Sequence, residues 1–315
     1  MRSRIASVPI SLPASGLQLG AQRSAVVARL SKLPPFHPAA VKLLTLSAGS
    51  DPSMGDFERA FGSDPALASD LLTMANSPLY GLRSHIDNLR HAIALLGLDT
   101  VRSLALTIAM GAYVRSGPAR GAVRSVWTHS LATGLIADAI GRVQGDPGPS
   151  LYAAGLVHDV GRLGMLNLEG DRYAGVLERD YYEVEESLLL ETLLFGCAHD
   201  DSGAFLTRSW GFPDAISDCV RFHHQASVDK GPALRVVQLA CHYAGALGFG
   251  ELNCANCPPA LVEVLPAALR GAASLEPGRM RQRIVQAEAE FTGMLAGHTA
   301  SRSARPPAAM ARITR

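Results

Sequence analysis

Histidines recur inside apolar segments of helical period through the middle of this 315-residue chain. His129 lies at helical spacing from Ile136 and Ile140, and His199 from Leu206, so each imidazole shares a face with apolar side chains. A buried imidazole is costly unless a partner satisfies it. The chain must therefore fold so that these histidines find partners, and helices that bring them together meet that condition.

One carboxylate accompanies the histidines, in the sequence Gly-Leu-Val-His-Asp-Val-Gly-Arg that contains His158 and Asp159. Neutral imidazoles, with an oxygen donor that offsets cation charge, are what a divalent metal site needs. For each histidine alone, a hydrogen-bonded core residue is the more common role. Here, however, histidines occupy the inward faces of four separate helices, and unrelated core histidines would not be expected to recur in this way. A divalent transition metal (Fe, Mn or Zn) and a metal-free histidine core both stay open. The candidate ligands are His129, His158, Asp159, His199, His223 and His224.

The remaining pattern predicts an all-α fold. In the N-terminal part, Leu67, Leu71 and Met74 form one stripe at helical period, and Pro65 stands at its first helical position. Gly97 follows a further apolar run as a helix-ending glycine. No alternating apolar pattern bounded by hairpin turns suggests a sheet. We therefore expect helices throughout, with these three side chains in the core.

Breaks in the helical pattern divide the chain into segments. Small residues, proline and arginine at 115–122 give the best internal boundary, and the helices on its two sides are expected to share one core. The segments are a flexible leader (1–22), an N-terminal helical lobe (23–114), a second helical lobe (123–250), a C-terminal helical extension (251–297) and a disordered tail (298–315).

The overall charge argues against large anionic partners. The chain has 29 basic and 28 acidic residues, a net charge of +1, and thus no strong field to gather nucleic acid or a membrane surface. We find neither a signal peptide nor an apolar membrane-spanning run, so we expect a cytoplasmic protein. The odd number of cysteines, five, also favours a reducing compartment. Cys254 and Cys257 form a single C-x-x-C pair, more typical of two free thiols than of a zinc ribbon.

A series of motifs runs through both lobes in a defined order: Leu33-Pro34-Pro35, Ser63-Asp64-Pro65-Ala66-Leu67, Ala75-Asn76-Ser77-Pro78-Leu79-Tyr80-Gly81, Ala92-Ile93-Ala94-Leu95-Leu96-Gly97-Leu98, Gly155-Leu156-Val157-His158-Asp159-Val160-Gly161-Arg162-Leu163, His199 to Trp210 with Pro213, and His223-His224. This series resembles the HDOD domain, the HD-related output domain of bacterial signalling proteins, over roughly residues 24–250. The order of the histidines is similar to that of the HD superfamily of metal-dependent phosphohydrolases. The resemblance implies a helical HD-type fold with an N-terminal HDOD lobe.

The resemblance has mixed implications for activity. HDOD domains commonly lack intact metal ligands and are regulatory or protein-interaction modules, whereas this chain keeps much of the ligand set. Against the active HD enzymes, Cys241 matches the position of the final aspartate, and Arg162 stands where the related phosphodiesterases place a lysine. Their downstream Gly-Tyr-Pro signature does not follow His224. If the chain is active, Asp159 and Arg162 are the implied catalytic residues.

Three functions stay open. The first is a regulatory module that binds a protein partner in a signalling pathway or a small ligand such as a nucleotide, with a vestigial metal site. The second is a metal-dependent phosphohydrolase that acts on a nucleotide or a cyclic dinucleotide. The third is a structural helical adaptor, which requires the histidine pattern to be coincidence. The altered positions 162 and 241 favour the first, and we expect little or no phosphoester hydrolysis.

Overall fold

Helices make up most of the chain that the computed structural model describes. The described residues are 16–45, 54–82, 84–115, 120–145, 149–254 and 264–303. This architecture confirms the predicted all-α class. Two parallel strands of two residues each, β1 (Asp180–Tyr181) and β2 (Asn253–Cys254), add a small pairing that the sequence pattern did not predict.

The N-terminal part is a set of short helices around a longer one. The aspartate that caps the fourth helix, Asp64, accepts a hydrogen bond from the backbone amide of Leu67 at 2.9 Å, and Pro65 follows it at the first helical position. Leu67, Leu71 and Met74 are buried, which confirms the predicted stripe. The helices are α1 (Gly16–Leu30), α2 (Pro38–Thr45), α3 (Met54–Gly62), α4 (Pro65–Ala75), α5 (Leu89–Leu96) and α6 (Leu98–Arg115), with a 3₁₀ turn at Pro78–Tyr80.

The second part packs its helices unusually closely, and glycines allow it. A Cβ atom on Gly155 would lie 2.8 Å from the carbonyl oxygen of Thr133, and one on Gly161 would lie 1.8 Å from that of His199. The helices are α7 (Arg120–Gln144), α8 (Pro149–Val157), α9 (Val160–Glu169), α10 (Asp171–Leu177), α11 (Val184–Phe195), α12 (His199–Ser209), α13 (Asp214–Phe222) and α14 (Pro232–Ala244). Gly155 thus lets α8 approach α7, and Gly161 lets α9 approach α12.

The C-terminal elements pack on the far side of α7. A π-helical turn (Gly245–Phe249) continues α14, and α15 (Ala267–Arg270), a 3₁₀ turn (Ala273–Leu275) and the long helix α16 (Pro277–Ser303) follow. Buried side chains of α7, α14 and α16 form a separate cluster that includes Ile140, Tyr243 and Ile284. The main cluster runs from α1 to α14 and also includes Ala287 and Phe291 of α16, so buried side chains from both sides of residues 115–122 belong to one cluster.

Two segment boundaries differ from the sequence-based expectation. Helix α1 begins at Gly16, within the predicted flexible leader, because its buried residues Val26 and Leu30 anchor it on the core. Helix α16 reaches Ser303, within the predicted tail. Residues 1–15, 304–315 and Cys257 lie outside the described residues.

No single helix of the described chain is long and apolar enough to cross a membrane. Helices α5 and α6 together have the length and apolar composition of a membrane span, but a bend of 117° separates them.

Candidate metal centre

The six predicted ligand positions come together in the second part of the chain. His129 lies in the middle of α7, and His199 is the first residue of α12. His158 and Asp159 occupy the break between α8 and α9, while His223 ends α13 and His224 follows it. All of them are buried except His224, which is half-buried. Helix ends and one helix middle therefore supply the donors, and the glycine contacts between α9 and α12 bring Asp159 close to His199.

Three of the histidines are oriented by hydrogen bonds to backbone carbonyl groups. The Nδ1–H group of His129 donates to the carbonyl of Phe249 at 2.8 Å. His158 donates to Gly155 at 2.7 Å, and His223 donates to Val220 at 2.8 Å. Because Nδ1 carries the proton in each bond, the Nε2 lone pair of the neutral ring is left free. Metal-binding histidines are typically oriented in this way.

Four of the Nε2 atoms lie close to one another in two pairs. The Nε2 atoms of His129 and His158 lie 3.1 Å apart, and those of His199 and His224 also lie 3.1 Å apart. Two facing lone pairs repel unless a proton or a cation lies between them. Nitrogen ligands of one transition metal stand roughly 3–3.4 Å apart at bond lengths of about 2.1 Å. The spacing thus fits two ligand pairs.

Asp159 lies between the two pairs. Its Oδ1 atom is 3.2 Å from Nε2 of His199 and 3.5 Å from Nε2 of His223. Its Oδ2 atom is buried and receives no hydrogen bond from the described residues, and neither does Nε2 of His223. Buried polar atoms of this kind require another partner. A cation bound by these atoms would supply it, so the donor set fits a metal.

The charges around Asp159 keep it ionised. Burial alone would raise the pKa of Asp159, but the Arg162 guanidinium and the neighbouring histidines hold this pKa well below its usual value. Burial lowers the pKa of His158 and of His224 well below the usual value, with further lowering by nearby imidazoles. These two rings are therefore neutral near pH 7, which is the form that binds metal.

Glu191 of α11 orients His199, and the sequence pattern did not identify this glutamate. One carboxylate oxygen accepts hydrogen bonds from the backbone amide of His199 at 2.8 Å and from its Nδ1 at 2.7 Å. The other accepts from Nη1 of Arg162 at 2.9 Å and from the hydroxyl of Tyr173 at 2.7 Å. Although burial and Arg162 oppose it, the Glu191 carboxylate raises the pKa of His199 to about 9. The site thus attracts positive charge.

Arg162 lies behind Asp159 and is fully buried. Its Nε donates to Asp159 at 3.3 Å, and its Nη2 is 3.8 Å from the carboxylate of Glu251. With Glu191, three carboxylates therefore surround this guanidinium.

Two further side chains complete the His129 end of the centre. Cys241 stands at the position that matches the final aspartate of the active HD enzymes. Its Sγ atom lies 3.5 Å from Nε2 of His129. Oε2 of Glu251 lies 3.1 Å from the same atom. Glu251 follows the irregular turn after α14, and no periodic pattern marks it in the sequence.

The donor atoms form overlapping groups, each within 4.8 Å: Asp159 with His199, His223 and His224; His129 with His158 and Cys241; His129 with Asp159 and Glu251. A cavity of about 280 Å³ opens beside them, and its lining includes His129, His224, Cys241, His242 and Glu251. The centre is thus buried on one side and accessible on the other. Cys254, a free thiol at the rim of this cavity, donates to the carbonyl of Tyr182 at 3.4 Å.

The fold and the buried histidine–aspartate centre define an HD-type helical protein. The HDOD domain family matches residues 33–226, which is more than half of the chain. The chain belongs to the HDOD family. Among curated proteins, an uncharacterised protein of Treponema pallidum (strain Nichols) is 21% identical over 203 residues, which are 64% of this chain and 39% of that protein. The chain thus spans well under half the length of this relative.

Solved structures share the fold. An HDOD domain protein of unknown function from Geobacter sulfurreducens has a TM-score of 0.67 at 21% identity, with 89% of this chain and 97% of that chain covered. A protein of Marinobacter aquaeolei VT8, provisionally described as a signal transduction protein, has a TM-score of 0.68 at 21% identity over 91% and 68% of the two chains. A provisionally described metal-dependent phosphohydrolase of Shewanella amazonensis SB2B has a TM-score of 0.53 at 20% identity, covering 86% and 99%. These identities establish the fold and no more.

Proposed function

We propose that this chain is a signalling module whose second helical part, which carries the histidines, binds a divalent transition metal next to a cavity for a small ligand. The observation that carries the proposal is the convergence of the Nε2 atoms of His199 and His223 on Asp159, whose Oδ2 receives no hydrogen bond from the described residues. In a histidine core without metal, Nε2 of His223 and Oδ2 of Asp159 would stay without a hydrogen bond from the described residues. Buried polar atoms rarely stay without a partner, so a bound cation accounts better for these two atoms.

The charge balance of the centre supports a cation. Asp159, Glu191 and Glu251 surround Arg162, so the carboxylates outnumber the guanidinium by two. Buried carboxylates are stable only when their charge is offset. A protonated His199, whose pKa is raised to about 9, offsets one of these two charges, and a divalent cation that displaces this proton offsets both. The ligands would be His129, His158, Asp159, His199, His223 and His224.

The donor types limit the choice of metal. Imidazole and carboxylate suit iron, manganese and zinc, and a thiolate at Cys241 would favour zinc. Once bound, such a cation polarises a water molecule or an oxygen atom of a bound ligand. The metal-dependent description of the related Shewanella protein is in keeping with this proposal.

The surroundings of the centre favour binding over hydrolysis. Arg162, which the family resemblance implies as a catalytic residue of an active enzyme, is engaged by carboxylates and is fully buried. The described residues that line the cavity include no lysine or arginine. A transferring phosphoryl group needs such cationic contacts in addition to metal. We therefore propose that Arg162 positions Asp159 and that the cavity takes a small ligand, such as a nucleotide, for recognition.

A phosphohydrolase is the second candidate function. One observation favours it: His129, His224 and Glu251 belong to the candidate donor groups and also line the open cavity. A ligand in the cavity would therefore reach the metal directly.

The signalling role itself is proposed from the family. HDOD domains act as output modules, and the Marinobacter relative is provisionally described as a signal transduction protein. We accordingly propose a protein partner in a signalling pathway and a cytoplasmic location. The near-zero net charge of +1 supports a partner other than nucleic acid or a membrane surface.

A metal-dependent substrate screen tests the proposal. Untagged protein is stripped with a chelator, reloaded with Mn²⁺, Fe²⁺ or Zn²⁺, and incubated with nucleotide phosphates and cyclic dinucleotides. We expect a higher melting temperature with metal, because a ligand that binds the native state stabilises it, and no multiple turnover. Turnover that disappears in Asp159→Ala but persists in the control Asp171→Ala, an exposed position on α10, would make the chain an enzyme. An unchanged melting temperature with every metal would contradict metal binding.

A further inference from the structure

We infer that Glu251 supplies the carboxylate ligand that Cys241 does not, so that the chain retains an oxygen donor at the His129 end of the centre. The inference rests on the proposed metal binding and adds a ligand to it. Oε2 of Glu251 lies 3.1 Å from Nε2 of His129, and the side chain is only 8% exposed. Glu251 also groups with His129 and Asp159 as a possible set of ligands.

Position 241 alone leaves this end of the centre poor in negative charge. Cys241 reaches His129 with its Sγ atom at 3.5 Å, so it approaches the donor group from α14. A thiol is a soft ligand that must lose its proton to bind metal, and it suits zinc better than manganese. Glu251, ten positions later, presents a hard oxygen donor to the same imidazole.

The backbone that carries Glu251 is built into the site. The π-helical turn that follows α14 ends at Phe249, whose carbonyl accepts the Nδ1–H of His129 at 2.8 Å. Gly248 within that turn has a φ of +87°, which a residue with a side chain rarely adopts. After Glu251, strand β2 pairs with β1 through Cys254 and Tyr181. His129 is therefore held from both sides by the same short segment.

The energetics of burial favour a cation beside Glu251. A carboxylate removed from water is destabilising unless its charge is offset. Arg162 approaches Glu251 only to 3.8 Å, whereas it lies 2.9 Å from Glu191 and 3.3 Å from Asp159. Of the three carboxylates, Glu251 is therefore the least neutralised by the guanidinium. Its second oxygen, Oε2, lies 3.1 Å from Nε2 of His129, so a cation bound by Asp159 and His129 would also contact this carboxylate.

This arrangement has a consequence for metal preference. An oxygen donor at this position favours Mn²⁺ and Fe²⁺, whereas loss of that oxygen leaves Cys241 as the neighbouring ligand and favours Zn²⁺. A carboxylate restored at position 241 would reach the same imidazole from α14. Glu251 and position 241 are thus interchangeable sources of the same charge, and this exchange can be tested.

The experiment measures Mn²⁺ affinity by equilibrium dialysis with electron paramagnetic resonance detection of free Mn²⁺. Glu251→Gln keeps the shape of the side chain and removes its charge. We expect this change to weaken Mn²⁺ binding by at least about tenfold, because loss of a residue that only supports a metal ligand already weakens metal binding by about 10- to 100-fold. The double variant with Cys241→Asp and Glu251→Gln is expected to regain most of that loss. Glu169→Gln, which removes a similarly sheltered carboxylate paired with Arg29 and Arg172, is the control and should bind like wild type.

Further outcomes separate this inference from the proposed function. Wild-type protein that binds neither Mn²⁺, Fe²⁺ nor Zn²⁺ would remove the metal centre itself. Wild-type binding of Mn²⁺ with an unchanged affinity in Glu251→Gln would overturn only the role of Glu251. Circular dichroism melts in chelator check that each variant folds. Glu251→Asp, which keeps the charge on a shorter side chain, is a second variant, and its Mn²⁺ affinity should lie between those of wild type and Glu251→Gln. Full wild-type affinity in every folded Glu251 variant would contradict the inference.

Discussion

Glu191 accepts two hydrogen bonds from His199, one from the backbone amide at 2.8 Å and one from Nδ1 at 2.7 Å. The pair joins the middle of α11 to the first turn of α12. It fixes both the start of that helix and the direction of the imidazole, so that Nε2 points toward Asp159. Glu191, which is not among the grouped donor residues, thus determines that Nε2 of His199 is the nitrogen that faces them.

The Glu191–His199 pair predicts an indirect effect on metal binding. Glu191→Gln is expected to weaken metal affinity by about 10- to 100-fold, because an amide orients the ring less strongly and makes Nε2 less basic. Competition with a chelating dye measures the affinity. Glu186→Gln on the same helix, an exposed carboxylate that accepts from the amide of Tyr182, is the control. Equal affinities in the two variants would show that Glu191 does not act on the metal.

Gly161 sets the distance between α9 and α12. A methyl group there would lie 1.8 Å from the carbonyl oxygen of His199 and 2.6 Å from the amide nitrogen of Gly203. Gly161→Ala should therefore lower the free energy of unfolding by about 3 kcal/mol or more. Gly175→Ala in α10, where no described atom lies within 4 Å of the added carbon, should be neutral or stabilising by up to about 1 kcal/mol. Chemical denaturation of both variants checks this, and similar midpoints would contradict the close approach.

The buried stripe of α4 carries stability in the N-terminal part. Leu71 is fully buried, so Leu71→Ala should cost about 2–5 kcal/mol through lost burial and a residual cavity. Ser69→Ala, an exposed position on the same helix, should change the free energy of unfolding by less than about 0.5 kcal/mol. Urea denaturation distinguishes them. An unchanged midpoint for Leu71→Ala would mean that this stripe contributes little to the shared core.

The Asp64 cap predicts a dependence of stability on pH. The hydrogen bond from the Leu67 amide, together with His37, lowers the pKa of Asp64 despite the opposing effect of burial. A carboxyl group whose pKa is lowered by folding stabilises the protein above its unfolded pKa of about 3.9, and that stability is lost as pH falls through the folded value. Wild type should thus exceed Asp64→Asn in stability at pH 6, and the difference should shrink as pH falls below about 4. A pH-independent difference would contradict this account.

Periodicity located the parts of the site that stand on regular helices. His129 and His199 lie inward because apolar neighbours at helical spacing determine that face, and the stripe of Leu67 and Leu71 is buried for the same reason. The cap at Asp64 was equally visible, because it depends on local hydrogen bonds. Local patterns therefore predicted the all-α class and the inward faces of these histidines, and they left open whether the six positions converge.

The residues that escaped prediction depend on contacts between distant segments. Glu251 follows a π-helical turn with a left-handed glycine at Gly248, so no regular period specifies where its side chain points. Glu191 is the one carboxylate within the mostly apolar run at residues 188–195 of α11, which was a detectable signal of a buried partner. Only the fold pairs this carboxylate with Arg162 and His199. The start of α1 was misplaced because composition near the terminus outweighed the two apolar residues that anchor it.

The metal content of the untagged protein tests the central claim most directly. The protein is purified without a histidine tag and reconstituted with Mn²⁺, Fe²⁺ or Zn²⁺. Its bound metal is then measured by elemental mass spectrometry. The account predicts substoichiometric to about one equivalent of transition metal in wild type, and none in the double variant with His158→Ala and Asp159→Ala. A wild-type protein that retains no metal after reconstitution, or a double variant that retains as much as wild type, would contradict the account.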